Sequence, residues 1–140
     1  MTGSHVGDLP VGRKFTVRRT VTEADVLRFA ELTGDFDRLH VDAEYCRTTR
    51  YGKQIAHGAL IIGYMSAASS KATEGFGRPV ASLGFDRIRH LKPVFVGDTV
   101  TVTYEIAETD PPRERATARV AAVNQHGETI AVADHVLKLV

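Results

Sequence analysis

The sequence predicts an α+β domain, a curled antiparallel sheet wrapped around one apolar helix, on three observations. Residues 59–68 carry no charge and are apolar almost all round, which marks a helix buried in an interior. Residues 99–106 alternate cleanly, with Val100, Val102, Tyr104 and Ile106 on one face and three threonines and a glutamate on the other. A helix-bearing first section is also followed by a run of strand patterns, the usual α+β order. With 140 residues, the chain is expected to be a single domain, 1–140, with one well-buried core.

In order, residues 1–12 contain Gly3, Gly7, Pro10 and Gly12 and read as a loose arm. In 13–21, Phe15, Val17 and Arg19 alternate with Lys14, Thr16, Arg18 and Thr20, predicting a first strand near a sheet edge. Thr22-Glu23-Ala24-Asp25 has the form of a capping box. The helix it starts puts Val26, Phe29, Ala30 and Thr33 on one face, and Gly34 stops it. A loop over 35–40 follows, then a short helix over 43–47 capped by Asp42.

The central helix spans 58–71, on the order of 20 Å, enough to lie in the concave face of the sheet. Gly63, Ala67 and Ala68 allow close approach to strands. Residues 74–79 are a turn-rich break, and strands are expected over 80–90, 99–106, 115–123 and 129–140. Asp110-Pro111-Pro112-Arg113 connects two of them, and Gln125-His126-Gly127 makes a tight turn. Ala121, Ala122 and Val123 break strict alternation, so that strand is expected to be covered on both faces. The 89–98 segment reads as a strand ending at Pro93 and a Gly97-Asp98 turn.

Composition narrows the function classes. Charge is nearly balanced at a formal +1, which does not suggest nucleic acid as a partner. The single cysteine, Cys46, rules out an internal disulfide and fits a reducing compartment. No basic-then-apolar leader precedes residue 11, and the longest apolar run is too short for a bilayer. A cytoplasmic protein with no membrane partner is expected.

The chemistry concentrates between Thr33 and Gly58. Asp35 and His40 lie five positions apart. In a helix that step would turn roughly 500° and separate the side chains. Gly34, however, can take the left-handed conformation of a helix cap and let the backbone curl beyond it. A carboxylate beside an imidazole can hold one water between them. Taken alone, Asp35 reads as a helix or turn cap and His40 as a half-buried loop residue. Gly58 opens the apolar helix, where first-turn N–H groups lack intrahelical partners and carry the positive dipole end. Half of an oxyanion hole has that form. Gly58 as a packing glycine has the same sequence signature.

Gly34-Asp35-Phe36-Asp37-Arg38-Leu39-His40 followed by Ala56-His57-Gly58 resembles the signature of the MaoC-like, R-specific enoyl-CoA hydratases (hydratase 2) of the hot-dog fold. The segment 89–98 extends the likeness. Asp37 stands where that family usually has Asn, and Arg38 where it usually has Pro. The resemblance implies that Asp35 and His40 are the catalytic pair and that the Gly58 amide polarises a thioester carbonyl. The implied reaction is reversible hydration of a trans-2-enoyl-CoA, or of an acyl-carrier thioester, to the R-3-hydroxyacyl thioester. It also implies at least a homodimer, with pockets between subunits.

Asp37 and Arg38 are expected to modulate the loop, Arg38 by pairing with Asp37. Arg47, Arg50 and Lys53 form either a solvated loop or contacts for a coenzyme A or carrier-protein arm. Arg87, Arg89 and Lys92 read either as neighbours of that arm or as edge-strand charge. Tyr64 and Ser66 either face the acyl pocket or are satisfied core hydroxyls. No cofactor beyond the thioester substrate is expected. Nor is a metal, because the spacing of Asp35, His40 and His57 matches no standard site. The alternatives are a thioesterase on the same fold and a non-catalytic acyl-thioester-binding subunit.

Overall fold

The computed structural model describes residues 4–140. Five strands form one antiparallel sheet: β1 (Lys14–Thr20), β2 (Val80–His90), β3 (Thr99–Asp110), β4 (Arg115–Val123) and β5 (Thr129–Leu139). Their spatial order is β1-β3-β4-β5-β2, so β1 and β2 are the two edges. The helices are α1 (Glu23–Thr33), α2 (Arg38–Val41), α3 (Ala43–Arg47) and α4 (Gly58–Ala72). The expected arrangement, a hot-dog sheet curled around a central helix, is what these elements build.

Local sequence accounts for the boundaries. The Thr22 hydroxyl accepts from the Asp25 N–H at 3.0 Å and the Asp25 carboxylate accepts from the Thr22 N–H at 3.0 Å, so α1 begins in a reciprocal capping box. It ends at Gly34, whose φ of 81° is left-handed. Ile61, Met65, Ala68 and Ala72 of α4 are buried against Val100, Val102, Tyr104 and Ile106 of β3 and the inward residues of β4 and β5.

Three expectations need correction. Residues 4–12 are not a loose arm: Val6 and Leu9 enter the core, and the Gly12 N–H donates to the Ile106 carbonyl at 2.9 Å. Residues 1–3 of that arm lie outside the described residues. The β4 strand is buried on one face only, by Ala116, Ala118, Val120 and Ala122; its apolar run places small residues outward. And α4 is not buried all round in the single chain. Ala59, Gly63, Ser66, Ala67 and Ser70 make an exposed, uncharged stripe along it.

A small polar cluster sits within the sheet. His135 is fully buried, with Nδ1 hydrogen-bonded to the Tyr104 hydroxyl and Nε2 to the Ser82 hydroxyl, both at 2.7 Å. Phe85 stacks on its ring at 4.0 Å. Burial pushes this imidazole down to about 4 from the usual 6.5, and pushes the Tyr104 phenol well up. Among the described residues, no helix is long and apolar enough to cross a membrane.

Candidate active site

Beyond Gly34 the backbone turns on two short side-chain bonds. The Asp37 N–H donates to Asp35 Oδ1 at 3.3 Å, and the Leu39 N–H donates to Asp37 Oδ1 at 2.9 Å. The second bond caps α2, so His40 stands on a one-turn helix rather than in the expected loop. Four bonds then fasten this segment to the approach of α4. The Ile55 N–H donates to the Leu39 carbonyl at 3.0 Å and the Gln54 side-chain amide to the His40 carbonyl at 2.7 Å. His40 Nδ1 donates to the Ile55 carbonyl at 2.7 Å, and His57 Nε2 to the Asp35 carbonyl at 2.9 Å.

A carbonyl only accepts, so these last two bonds fix both tautomers. His40 presents Nε2 as a lone pair, and His57 presents Nδ1. His57 is 2% exposed, and among the described residues its Nδ1 has no hydrogen-bond partner. The two rings stack with centroids 3.8 Å apart, and Phe29 backs His57 at 4.7 Å.

One carboxylate oxygen of Asp35 and one ring nitrogen each of His40 and His57 all lie within 4.8 Å of one another. This convergence resembles a metal triad, but the orientation does not suit one. A ligated cation lies in the plane of each imidazole, about 2 Å from its nitrogen. Rings stacked nearly face to face do not aim their lone pairs at one such point.

Beside His40 opens a cavity of about 370 Å³. His40, Gly58, Arg50, Tyr51, His90 and Lys92 supply its polar wall, and Ile55, Ile61, Leu91, Pro93, Val94 and Ile130 contribute apolar lining. His57 gives α4 no side-chain cap, which leaves first-turn N–H groups available beside the cavity. A Cβ built on Gly58 would lie 2.8 Å from His90 Nε2 and 2.9 Å from its Cε1. The room left by the missing side chain is thus taken by the His90 imidazole.

Asp35 is exposed and reaches His40 from outside the cavity lining. Asp37 caps α2, and Arg38 pairs with Asp42 at 3.2 Å and covers the Tyr45 ring, rather than pairing with Asp37. Tyr64 lies in a separate depression with Arg19, Asp25, Arg28, Phe29, Leu32 and Leu60. Ser66 faces outward on the exposed stripe, so neither hydroxyl is in the His40 cavity. Arg89 bonds the Ile88 carbonyl and is also outside it, and Arg87 pairs with Asp134. Lys92 does line the cavity and pairs with Glu128. Of the basic segment, Arg50 lines the cavity and Lys53 lies over the Phe95 ring. Cys46 is buried, its thiol donating to the Leu39 carbonyl at 3.3 Å and bracing α2 on α3.

Sequence reading missed His90 and Tyr51. His90 ends the mixed run Arg87-Ile88-Arg89-His90, which carries no local signal; only the β2–β5 pairing brings it to α4.

The family model described as "MaoC like domain" matches residues 9–129. A 3-hydroxybutyryl-CoA dehydratase of Methylorubrum extorquens is 33% identical over 123 residues, covering 88% of this chain and 75% of that protein. An (R)-specific enoyl-CoA hydratase of Aeromonas caviae is 32% identical over 133 residues, covering 94% and 96%. Among solved structures, the (R)-hydratase from A. caviae involved in PHA biosynthesis superposes with a TM-score of 0.86 at 30% identity, covering 95% of this chain and 98% of that one. With its 33–58 segment folded around Asp35, His40 and Gly58, this chain belongs to the MaoC like domain family.

Proposed function

We propose that the protein is a hydro-lyase that reversibly adds water to a trans-2-enoyl thioester, of coenzyme A or an acyl carrier, to give the R-3-hydroxyacyl thioester. One observation carries the reading. The Asp35 carboxylate and a ring nitrogen of His40 lie within 4.8 Å of each other, a span one water bridges with two bonds of about 2.8 Å. Both groups accept hydrogen bonds, so the water's lone pair is left to attack C3. The pair takes up the water's proton as the C3–O bond forms. Electrons of the C2=C3 bond move onto the thioester oxygen, and a proton returned to C2 completes the addition. The Gly58 N–H donates to that oxygen while it is negative. The named relatives support the same reaction class.

The working unit is a homodimer acting in the cytoplasm. The exposed, uncharged stripe on α4 and the outer edge of β2, unpaired among the described residues and with Leu83 51% exposed, suit a second copy of this chain.

The test is purified protein with crotonyl-CoA and longer enoyl-CoAs, following loss of the conjugated absorbance and release of thiol together. Expected is loss of absorbance without thiol and formation of the R product. Asp35→Asn should slow turnover by about 10²–10⁴-fold. Thiol release would indicate a thioesterase, and binding without turnover a non-catalytic subunit.

A further inference from the structure

We infer that His90 is a second oxyanion donor: its imidazole N–H contacts the thioester oxygen together with the Gly58 amide. This rests on the hydratase reading above and adds a residue to it.

A single backbone amide is half of the usual arrangement, in which two donors converge where negative charge develops. The structure supplies a partner for it. His90 is the last residue of β2, and the β2–β5 register places it opposite Ala131. From there its ring reaches the first turn of α4. The nitrogen tip leads: Nε2 is the ring atom nearest the position of a Gly58 Cβ, ahead of Cε1 at 2.9 Å and Cδ2 at 3.2 Å.

The glycine at 58 therefore leaves the room that the His90 ring occupies. Any side chain there would push the imidazole off the helix start. Among the described residues, no protein group hydrogen-bonds either nitrogen of His90, so its donor is free for a ligand. The ring shares the cavity wall with His40 and Gly58, so one oxygen in this cavity can meet both the Gly58 amide and the imidazole. Lys92, two residues on, is already paired with Glu128, and Arg50 is bonded to the Tyr51 hydroxyl at 3.4 Å.

The experiment compares His90→Ala with His90→Gln, whose terminal amide nitrogen can occupy the place of Nε2. With crotonyl-CoA, His90→Ala should lower kcat by about 10²-fold, with KM changed by no more than about 3-fold, the pattern of a contact made only in the transition state. His90→Gln should recover most of that loss. Equal losses in the two variants, a kcat within about 3-fold of wild type for His90→Ala, or a faster His90→Ala would each overturn the assignment. The last would mean that the ring merely fills space.

A second readout does not need turnover. In the Asp35→Asn background, infrared difference spectra of bound crotonyl-CoA should show a lowered carbonyl stretch that returns toward the free value when His90→Ala is added. A wild-type protein that hydrates nothing but shows this His90-dependent shift loses the hydratase reading and keeps His90. An active protein with neither the shift nor the kcat loss keeps the hydratase and loses His90.

Discussion

Acidification should unlock the sheet at His135 before it titrates most of the surface. This imidazole is held neutral by burial at about 4, against 6.5 in an unfolded chain. Between those values the unfolded state binds a proton that the folded state does not, so stability falls as pH falls. The contribution is fully present above about pH 6.5, reduced by about 2 kcal/mol near pH 5, and reduced by about 3 kcal/mol below pH 4.

Depressed carboxylates such as Asp25, whose charged form is favoured chiefly by the Thr22 N–H, also lose stability toward acid. A comparison is therefore needed to isolate the histidine. His135→Gln removes the titration, at the cost of the Phe85 stack and some of the bonds to Tyr104 and Ser82. Urea unfolding of both proteins, at one fixed protein concentration because association contributes to stability, should show the variant less stable near pH 7.5. The gap should then narrow by about 2 kcal/mol near pH 5. A gap constant to within about 0.5 kcal/mol would refute the argument. If the variant does not fold, the wild-type His135 ring proton signal should stay fixed between about pH 7.5 and 5.5, and its titration there would be equally fatal.

Further outcomes follow from named contacts. Gly58→Ala should leave stability within about 1 kcal/mol, since the helix gains propensity while the His90 ring is displaced, but should lower kcat by about 10²-fold on crotonyl-CoA. Leu9→Ala should cost about 2–4 kcal/mol in urea unfolding, because Leu9 is 4% exposed in the core. Asp37→Asn should change stability by less than about 0.5 kcal/mol, as the asparagine oxygen can accept the same Leu39 N–H. Gly34→Ala should lower the melting temperature, with a loss of about 1 kcal/mol, because its φ of 81° is left-handed.

The sequence was most legible where a local rule sets the structure. The Thr22–Asp25 cap, the Gly34 stop, the Asp42 cap and the alternation of β3 each depend on neighbours within a few residues. It was least legible where distant segments meet. Val6 and Leu9 sit among glycines that suggest a free arm, yet the open side of the sheet accepts them. Arg38 stands next to Asp37 in the chain, but one helical turn brings it to Asp42 instead. Asp35 and His40 were readable as a pair through the family signature that carries them, the glycine before them only letting the backbone curl. That His57 would stack on His40, and that His90 would reach Gly58 from another strand, has no counterpart in spacing.

The four bonds joining residues 35–40 to 54–57 have a mechanical consequence. They span 14 to 22 residues and tie both sides of the Asp35–His40 pair to the start of α4. That half of the cavity behaves as one plate, with little freedom to flex separately. Adaptation to bulkier acyl groups therefore falls to lining side chains outside these four bonds, such as the exposed Leu91 and Pro93.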